Sequence, residues 1–211
     1  MPRRKPNRFY AELYERLNQI AERRFLGDIR RDIAGGASGH VLEIGAGTGG
    51  NFRFYGPSVE SVIAIEPDPA MVTFAAPRLH DGPRPVTLVQ SVVERMPFPD
   101  ASFDTVLTSL VLCSVGLDEA LHEIRRVLKV NGTLRFYEHV RFHNRVGAWF
   151  QDAVTPVWRR LAAGCHPNRD IAAALVAHGF VIERLDSLAP GWPLLPYLLV
   201  RSQIKGVAIC I

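Results

Sequence analysis

The order of apolar runs in this chain predicts an α/β fold: a doubly wound sheet of about seven strands, mostly parallel, closed by a C-terminal antiparallel pair. Three observations carry that expectation. From residue 40 onward, short runs rich in Val, Ile and Leu alternate with helical patterns. The first of these runs breaks into a glycine-rich turn, "VLEIGAGTGGNF" at 41–52. The last forty residues hold two apolar runs with no helical pattern between them.

Taken in order, the chain begins with a basic arm, "MPRRKPNR", and then places Phe9, Leu13, Leu17, Ile20 and Phe25 at roughly helical spacing among charges. That pattern is an amphipathic helix, closed by the hinge "AGGASG" at 34–39. Strand-like runs follow at 40–45, 61–66, 86–90, 103–110 and 133–140. Several are continuously apolar, as expected when helices cover both faces of a parallel sheet. An acid-capped helix is expected over 68–80, with Asp68 able to serve its N-terminus. Leu117, Leu121, Ile124 and Leu128 form one face of a further helix, which Asn131-Gly132 is expected to stop. Segment 145–163 reads as a helix bent or interrupted by Pro156. The run "NRDIAAALVAHG" reads as another, with Asn168 or Asp170 as cap and Gly179 as terminator. Runs 180–188 and 200–211 have no crossover helix between them and should pair antiparallel. A single domain over 1–211 results, with a helical region at 1–37 and an α/β core at 38–211.

Composition excludes several classes. An apolar content of 47% and a charged content of 22% are those of an ordinary globular protein. Cys113, Cys165 and Cys210 are far apart, with no CxxC pair and no His/Cys spacing typical of a metal site, so a reducing, cytoplasmic setting and no metal are expected. No leader and no run of 18 apolar residues is evident; the nearest, "LAPGWPLLPYLLV", is broken by proline. The net charge of +4 is concentrated at the N-terminus, where residues 1–31 carry nine Lys/Arg against four acids and leave the rest near neutral. No basic stripe interleaved with aromatics continues beyond it, which argues against nucleic acid.

Gly45, Gly47 and Gly49 let the backbone approach a ligand at the strand's carboxyl end, a device shared by dinucleotide and S-adenosylmethionine sites. Glu43 separates the two. A carboxylate in an apolar strand needs a cation or N–H donors; a pyrophosphate would repel it, whereas a methionyl ligand brings an ammonium group. Glu66, ending the next strand, suits the two hydroxyls of an adenosyl ribose. A nicotinamide-dependent oxidoreductase and a non-catalytic binding module remain as more distant alternatives.

With these residues in place, the chain resembles the class I S-adenosylmethionine-dependent methyltransferases, a Rossmann-like fold. The likeness covers about 38–140 through "VLEIGAGTGGNF", "VIAIEPDPAMV", "ERMPFPDASFDTVLTSLVLCSV" and "EIRRVLKVNGTLRFYEH". The resemblance implies that Glu43, Gly45, Ala46, Gly47, Gly49 and Asn51 surround the methionyl end, and that Glu66 and Pro67 meet the ribose. It further implies that Val92 and Val93 border the adenine, and that Ser109 and Leu110 line the cofactor. Val92 stands where much of the family has an acid for the adenine amino group, so apolar contact, backbone and Glu94 would serve instead.

More narrowly, "SLVLCSV", "YEHV", "DAVTPVWRRLAAGC" and "IKGVAI" look like the thiol S-methyltransferases of the methyltransferase-like 7 group. That likeness implies a small lipophilic methyl acceptor such as a thiol, with phospholipid amines and quinone-type acceptors as alternatives. His139, at the end of the fifth strand, is the candidate catalytic residue, as base or acceptor-orienting group. Asp152, Trp149 and Trp158 are candidates to shape an acceptor pocket, while Cys113 reads as a small hydrophobe. The N-terminal helix reads as a lid closed by Tyr10 or Tyr14, with peripheral contact to an anionic membrane as a second reading.

Overall fold

In a computed structural model of the chain, which describes residues 8–191 and 195–211, seven strands form one sheet in the order β3-β2-β1-β4-β5-β7-β6. β1 (Gly39–Ile44), β2 (Val59–Ile65), β3 (Val86–Val89), β4 (Phe103–Ser109) and β5 (Leu128–His139) pair in parallel. β6 (Phe180–Leu188) and β7 (Gln203–Cys210) pair antiparallel, and β7 also runs antiparallel to β5. The order reverses between β1 and β4, which sets a crevice at their carboxyl ends.

Strand alternation sorts the two faces of the sheet. Leu42 and Ile44 of β1 join a core with Leu121 and Ile124 of α4 (Leu117–Val127) and with Ile171 and Leu175 of α6 (Ile171–Ala177). Val41 faces the other way and packs with Ile29 and Ile33 of α2 (Gly27–Ile33) and with Phe52 and Tyr55. Asp68 caps α3 (Pro69–Ala75) by accepting from the Ala70 amide, and Asp170 caps α6 through the Ala173 amide.

Four local expectations are corrected. The helix of 117–129 ends at Val127, where Leu128 turns extended and enters β5 directly. Asn131, with φ of +62°, instead forms a bulge inside β5, whose pairing with β4 steps from Leu128 to Thr133. A glycine turn of this strand-turn-helix type is expected to open a helix, but here it leads into a single 3-10 turn, Phe52–Phe54. α5 (Arg145–Leu161) runs through Pro156 without interruption. There, the Thr155 hydroxyl donates to the carbonyl of Gln151 one turn back.

The fourth concerns the N-terminal helix. α1 (Arg8–Ala21) is joined to α2 by a π-turn, Glu22–Leu26, in which the Gly27 amide bonds to the Glu22 carbonyl. A side chain on Gly27 would press on that carbonyl at 3.0 Å. The face turned inward is not the leucine stripe. Ala11 packs on Ala70 and Met71 of α3 with Tyr14 beside it, while Leu13, Leu17 and Ile20 are 46%, 39% and 50% exposed. Small Ala11 lets the two helices approach closely, and the nearly buried Glu15 gains from meeting Arg78, so these outcompete the leucines for the inner face. The side chains of Phe9 and Tyr10, and the arm before Arg8, lie outside the described residues.

Asp32 on α2 ties the helical layer to the antiparallel edge, pairing with Arg184 of β6 at 2.8 Å and with Lys205 of β7. Burial opposes its ionisation, but hydrogen bonds from Lys205 and Arg184 outweigh that and hold the carboxyl below its ordinary range. Its stabilising effect is therefore present above the ordinary carboxylate pKa and is lost as pH falls through the lowered value. Asp32→Asn should lower stability by about 1 kcal/mol at neutral pH, with the difference vanishing in strong acid. Urea denaturation at the two pH values checks this; equal stability at neutral pH would refute it.

Candidate active site

Three buried carboxylates stand at the carboxyl ends of strands and organise the crevice. Glu43, in β1, is 1% exposed. Its Oε1 accepts from Asn51 Nδ2 at 2.9 Å and its Oε2 from the Tyr55 hydroxyl at 2.6 Å. Burial raises its pKa, against the lowering effect of those two donors and of the Arg30 charge. The expected donors are thus a neutral amide and a phenol; Arg30 contributes its field but forms its ion pair with Glu22 at 3.1 Å. With Nδ2 committed to Glu43, Asn51 presents Oδ1 as a buried acceptor that has no partner among the described residues. Such an orphan calls for a donor, which the ammonium group of a methionyl ligand supplies.

Glu66, just past β2, reaches across to the glycine turn. Its Oε2 accepts from the Gly47 amide at 2.8 Å and its Oε1 from the Asp68 amide at 2.9 Å. Burial raises its pKa despite those two donors. A carboxylate has about four acceptor positions, so two remain for ribose hydroxyls. A side chain on Gly47, at φ of +55°, would meet, among the described residues, only the Tyr14 ring, at 3.9 Å. Gly45, at φ of +70°, has no such room, because a Cβ would strike Val111 at 2.5 Å. Ala46 is buried beside them, its amide bonded to the Ile65 carbonyl at 3.0 Å, while Pro67 is exposed at the rim.

Helix α1 is fastened to this turn. Arg78 pairs with Glu15 of α1 at 2.5 Å and donates to the Thr48 carbonyl at 2.8 Å. Burial opposes ionisation of Glu15, yet Arg78, Thr48 and Gln19 hold its carboxyl below the ordinary range. At the adenine end Val93 is buried and Val92 is 43% exposed. Glu94 is directed at the N-terminus of α4, accepting from the Gly116 amide at 3.2 Å.

Glu138 is the residue that reading the sequence passed over. Fully buried in β5, it accepts from the amides of Val111, Leu112 and Cys113 at 3.1, 3.0 and 3.2 Å. The loop after β4 is wrapped around this carboxylate, while Arg169 donates to the carbonyls of Leu112 and Val115 from the other side. Ser109 ends β4 half-buried, and Leu110 adopts φ of +60°, a conformation that costs a non-glycine residue energy and is held here by the loop's bonds. An acid directly preceding His139 was the only sequence signal for Glu138; its three partners follow from folding alone.

His139, half-buried, points Nδ1 at two sulfurs: 3.5 Å to Cys165 and 3.9 Å to Cys113, which are 3.7 Å from each other. The expectation that spacing excludes a metal-type cluster is corrected, because residues 26 apart on three different segments converge here. Hydrogen bonding with Cys165, then burial, pushes the Cys113 thiol well above its ordinary range; the same contact lowers Cys165 against the effect of burial. Trp158 packs on this pair, whereas Trp149 is 70% exposed and Asp152 is taken up by Arg141 at 2.6 Å. Gln151, also unforeseen, is completely buried and donates to the carbonyls of Val140, Pro167 and Leu199, tying α5 to the segments around the sulfurs.

A methyltransferase-domain family matches residues 42–136, the span of the glycine turn and both crevice strands. Fold, site and match together define an S-adenosylmethionine-dependent methyltransferase, and that sulfonium compound is its cofactor. Within this class the chain belongs to the family of the thiol S-methyltransferases TMT1A and TMT1B. It is 37% identical to human TMT1B over 184 residues, covering 82% of this chain and 72% of that protein. It is 36% identical to human TMT1A over 176 residues, covering 80% and 70%.

Solved structures share the fold at lower identity. The cyclase SpnF aligns with a TM-score of 0.69 at 20% identity, covering 90% of this chain and 81% of that one. A geranyl diphosphate C-methyltransferase from Streptomyces coelicolor A3(2), in complex with S-adenosyl-L-homocysteine, aligns at 0.65 and 15%, covering 87% and 76%.

Removing the carboxylate in Glu138→Ala leaves three loop amides without their acceptor. A loss of about 3 kcal/mol is expected in chemical denaturation, given about 1–3 kcal/mol for each buried group left unsatisfied and incomplete additivity. A loss under about 1 kcal/mol would show that water or backbone replaces it freely.

Proposed function

We propose that this chain transfers the methyl group of S-adenosylmethionine to the sulfur of a small lipophilic thiol. The observation that carries the acceptor class is the 37% identity, over most of both chains, to a protein named as a thiol S-methyltransferase. Phospholipid amines and quinone-type compounds are the alternative acceptors. The alignment with quinone C-methyltransferases, 38% identical over 157 residues to that of Bordetella avium, covers 64% of this chain and is the weaker support.

When bound, the cofactor supplies an electrophilic methyl group on a sulfonium. In this reading Asn51 Oδ1 receives the methionyl ammonium, held in place by Glu43, while Gly45, Ala46, Gly47 and Gly49 give the backbone approach. Glu66 takes the ribose hydroxyls beside Pro67, Val92 and Val93 flank the adenine, and Ser109 and Leu110 border the crevice. Tyr14 on the lid closes over Gly47. Direct displacement at a methyl group is governed by alignment, and a thiolate is nucleophilic enough to need no strong base at the moment of attack. His139 accordingly orients the acceptor sulfur.

Exposed apolar side chains support a second element, peripheral contact of a cytoplasmic protein with an anionic membrane from which a lipophilic acceptor is drawn. Leu13, Leu17 and Ile20 form a stripe on α1 with Arg16, Arg23 and Arg24 nearby in sequence, and Val146, Trp149, Phe150, Val157 and Leu161 on α5 are at least half exposed. No helix of the described residues is long and apolar enough to cross a membrane.

Four outcomes are expected. Asn51→Ala should weaken S-adenosylhomocysteine binding in calorimetry by about 10- to 100-fold, the value of a hydrogen bond to a charged group. In the unmodified chain, affinity should start to fall at mildly acidic pH, because burial sets Glu43 and Glu66 above the ordinary value of 4.5 and their protonation removes the charge the ligand needs. An unchanged affinity in the variant removes Asn51 from the site. A panel of radiolabelled methyl transfers should show thiols methylated ahead of amines and quinols; a reversed order would displace the thiol reading. Sedimentation with vesicles rich in phosphatidylserine should drop when Leu13 and Leu17 become Ser, and equal sedimentation would discard the membrane surface.

A further inference from the structure

Cys113, His139 and Cys165 meet from three places in the fold: the loop after β4, the end of β5 and the turn after α5. Their ligand atoms lie within 4.8 Å of one another. In a tetrahedral zinc site, with Zn–S of about 2.3 Å and Zn–N of about 2.0–2.1 Å, two sulfurs stand about 3.8 Å apart and a sulfur and a nitrogen about 3.5 Å. Here the sulfurs are 3.7 Å apart, and His139 Nδ1 is 3.5 Å from one and 3.9 Å from the other. The three atoms thus already mark one face of such a tetrahedron. We propose that Cys113, His139 and Cys165 bind one zinc ion, and that its open fourth position takes the sulfur of the acceptor thiol.

The surroundings fit a built site. Two buried thiols and an imidazole form a soft donor set that favours zinc over magnesium or calcium. Both cysteines are held by backbone bonds before any ion arrives. The Cys113 amide donates to Glu138, and the Cys113 carbonyl accepts from the His166 amide at 2.7 Å. The Cys165 amide donates to the Ala162 carbonyl at 2.9 Å, beside Gly164 at φ of +91°. Trp158, Tyr197 and Val200 pack around the sulfurs. Among the described residues the group contains these three side chains and no fourth, the ligand count of catalytic rather than structural zinc. As a thiol takes the fourth position its sulfur bonds to the ion and its proton passes to solvent, leaving a metal-bound thiolate. The assignment of that position rests on the thiol reading proposed above; the three-ligand site does not.

The test uses the full chain, reduced and stripped with a chelator, then titrated with zinc against a chromophoric competitor and separately with cobalt. One zinc per chain is expected. Cobalt should give sulfur-to-metal charge-transfer absorption and tetrahedral d–d bands, and thiophenol should shift those bands. Cys165→Ser and Cys113→Ser should each weaken zinc binding by at least about 100-fold, since even changes outside the ligands cost 10- to 100-fold. Calorimetry with S-adenosylhomocysteine, unchanged in these variants, shows that they fold.

No stoichiometric zinc uptake by the reduced chain overturns the site, as does equal uptake by the double serine variant. So does a stable Cys113–Cys165 disulfide that forms in air and is not prevented by zinc. If cobalt binds and the chain methylates thiophenol while the bands ignore it, the fourth-position assignment falls and the proposed function stands. If cobalt binds and the bands shift yet no thiol is methylated, the metal site stands and the proposed function falls.

Discussion

Everything around the crevice depends on keeping a negative charge in a place where water cannot reach it. Glu43 sits inside an apolar strand, and its two bonds, from Asn51 and Tyr55, offset the cost of burial. Those bonds fix the Asn51 amide in one orientation, and so decide which of its polar atoms is left without a partner among the described residues. Glu66 and Glu138 repeat the device with backbone amides, one gripping the glycine turn and the other the loop after β4. The carboxylates therefore shape the loops that border the crevice.

This division of labour changes the part assigned to Glu43. From the sequence it stands as the direct partner of an ammonium group. In the fold each of its oxygens already accepts one bond, and Asn51 becomes the group whose buried acceptor has no partner among the described residues. The same economy appears where α1 meets the glycine turn: Arg78 serves Glu15 and the Thr48 carbonyl together, so that the position of α1 and the shape of the turn are coupled. On the far side of the crevice, Glu138 and Arg169 grip opposite edges of a loop that carries both Leu110 and Cys113. Leu110 and Cys113 are thus positioned by one short segment.

Much of the fold was legible because hydrophobic periodicity reports burial. The parallel strands of an α/β sheet follow from alternating runs, and the final antiparallel pair from the missing crossover helix. What misled was local competition. Asn131-Gly132 carries the chemistry of a helix stop, yet the chain had already left the helix at Leu128, and the pair makes a bulge instead. The leucines of α1 promised a buried face, but Ala11 and the Glu15–Arg78 pair won the contact. In the site, the glycines and acids were readable since their spacing along one strand-turn unit is fixed by backbone geometry. Tyr55, Gln151, Glu138 and the meeting of Cys113, His139 and Cys165 were not, because each depends on segments distant in sequence packing side by side.

The central claim is that Glu43 acts through Asn51 rather than by touching the ligand alone. A crystal structure with S-adenosylhomocysteine tests it most directly. The amino nitrogen of the ligand should lie within hydrogen-bond distance of Asn51 Oδ1, with Asn51 Nδ2 still on Glu43. An amino group bound elsewhere, or an Asn51 side chain swung out of the crevice, would contradict the account.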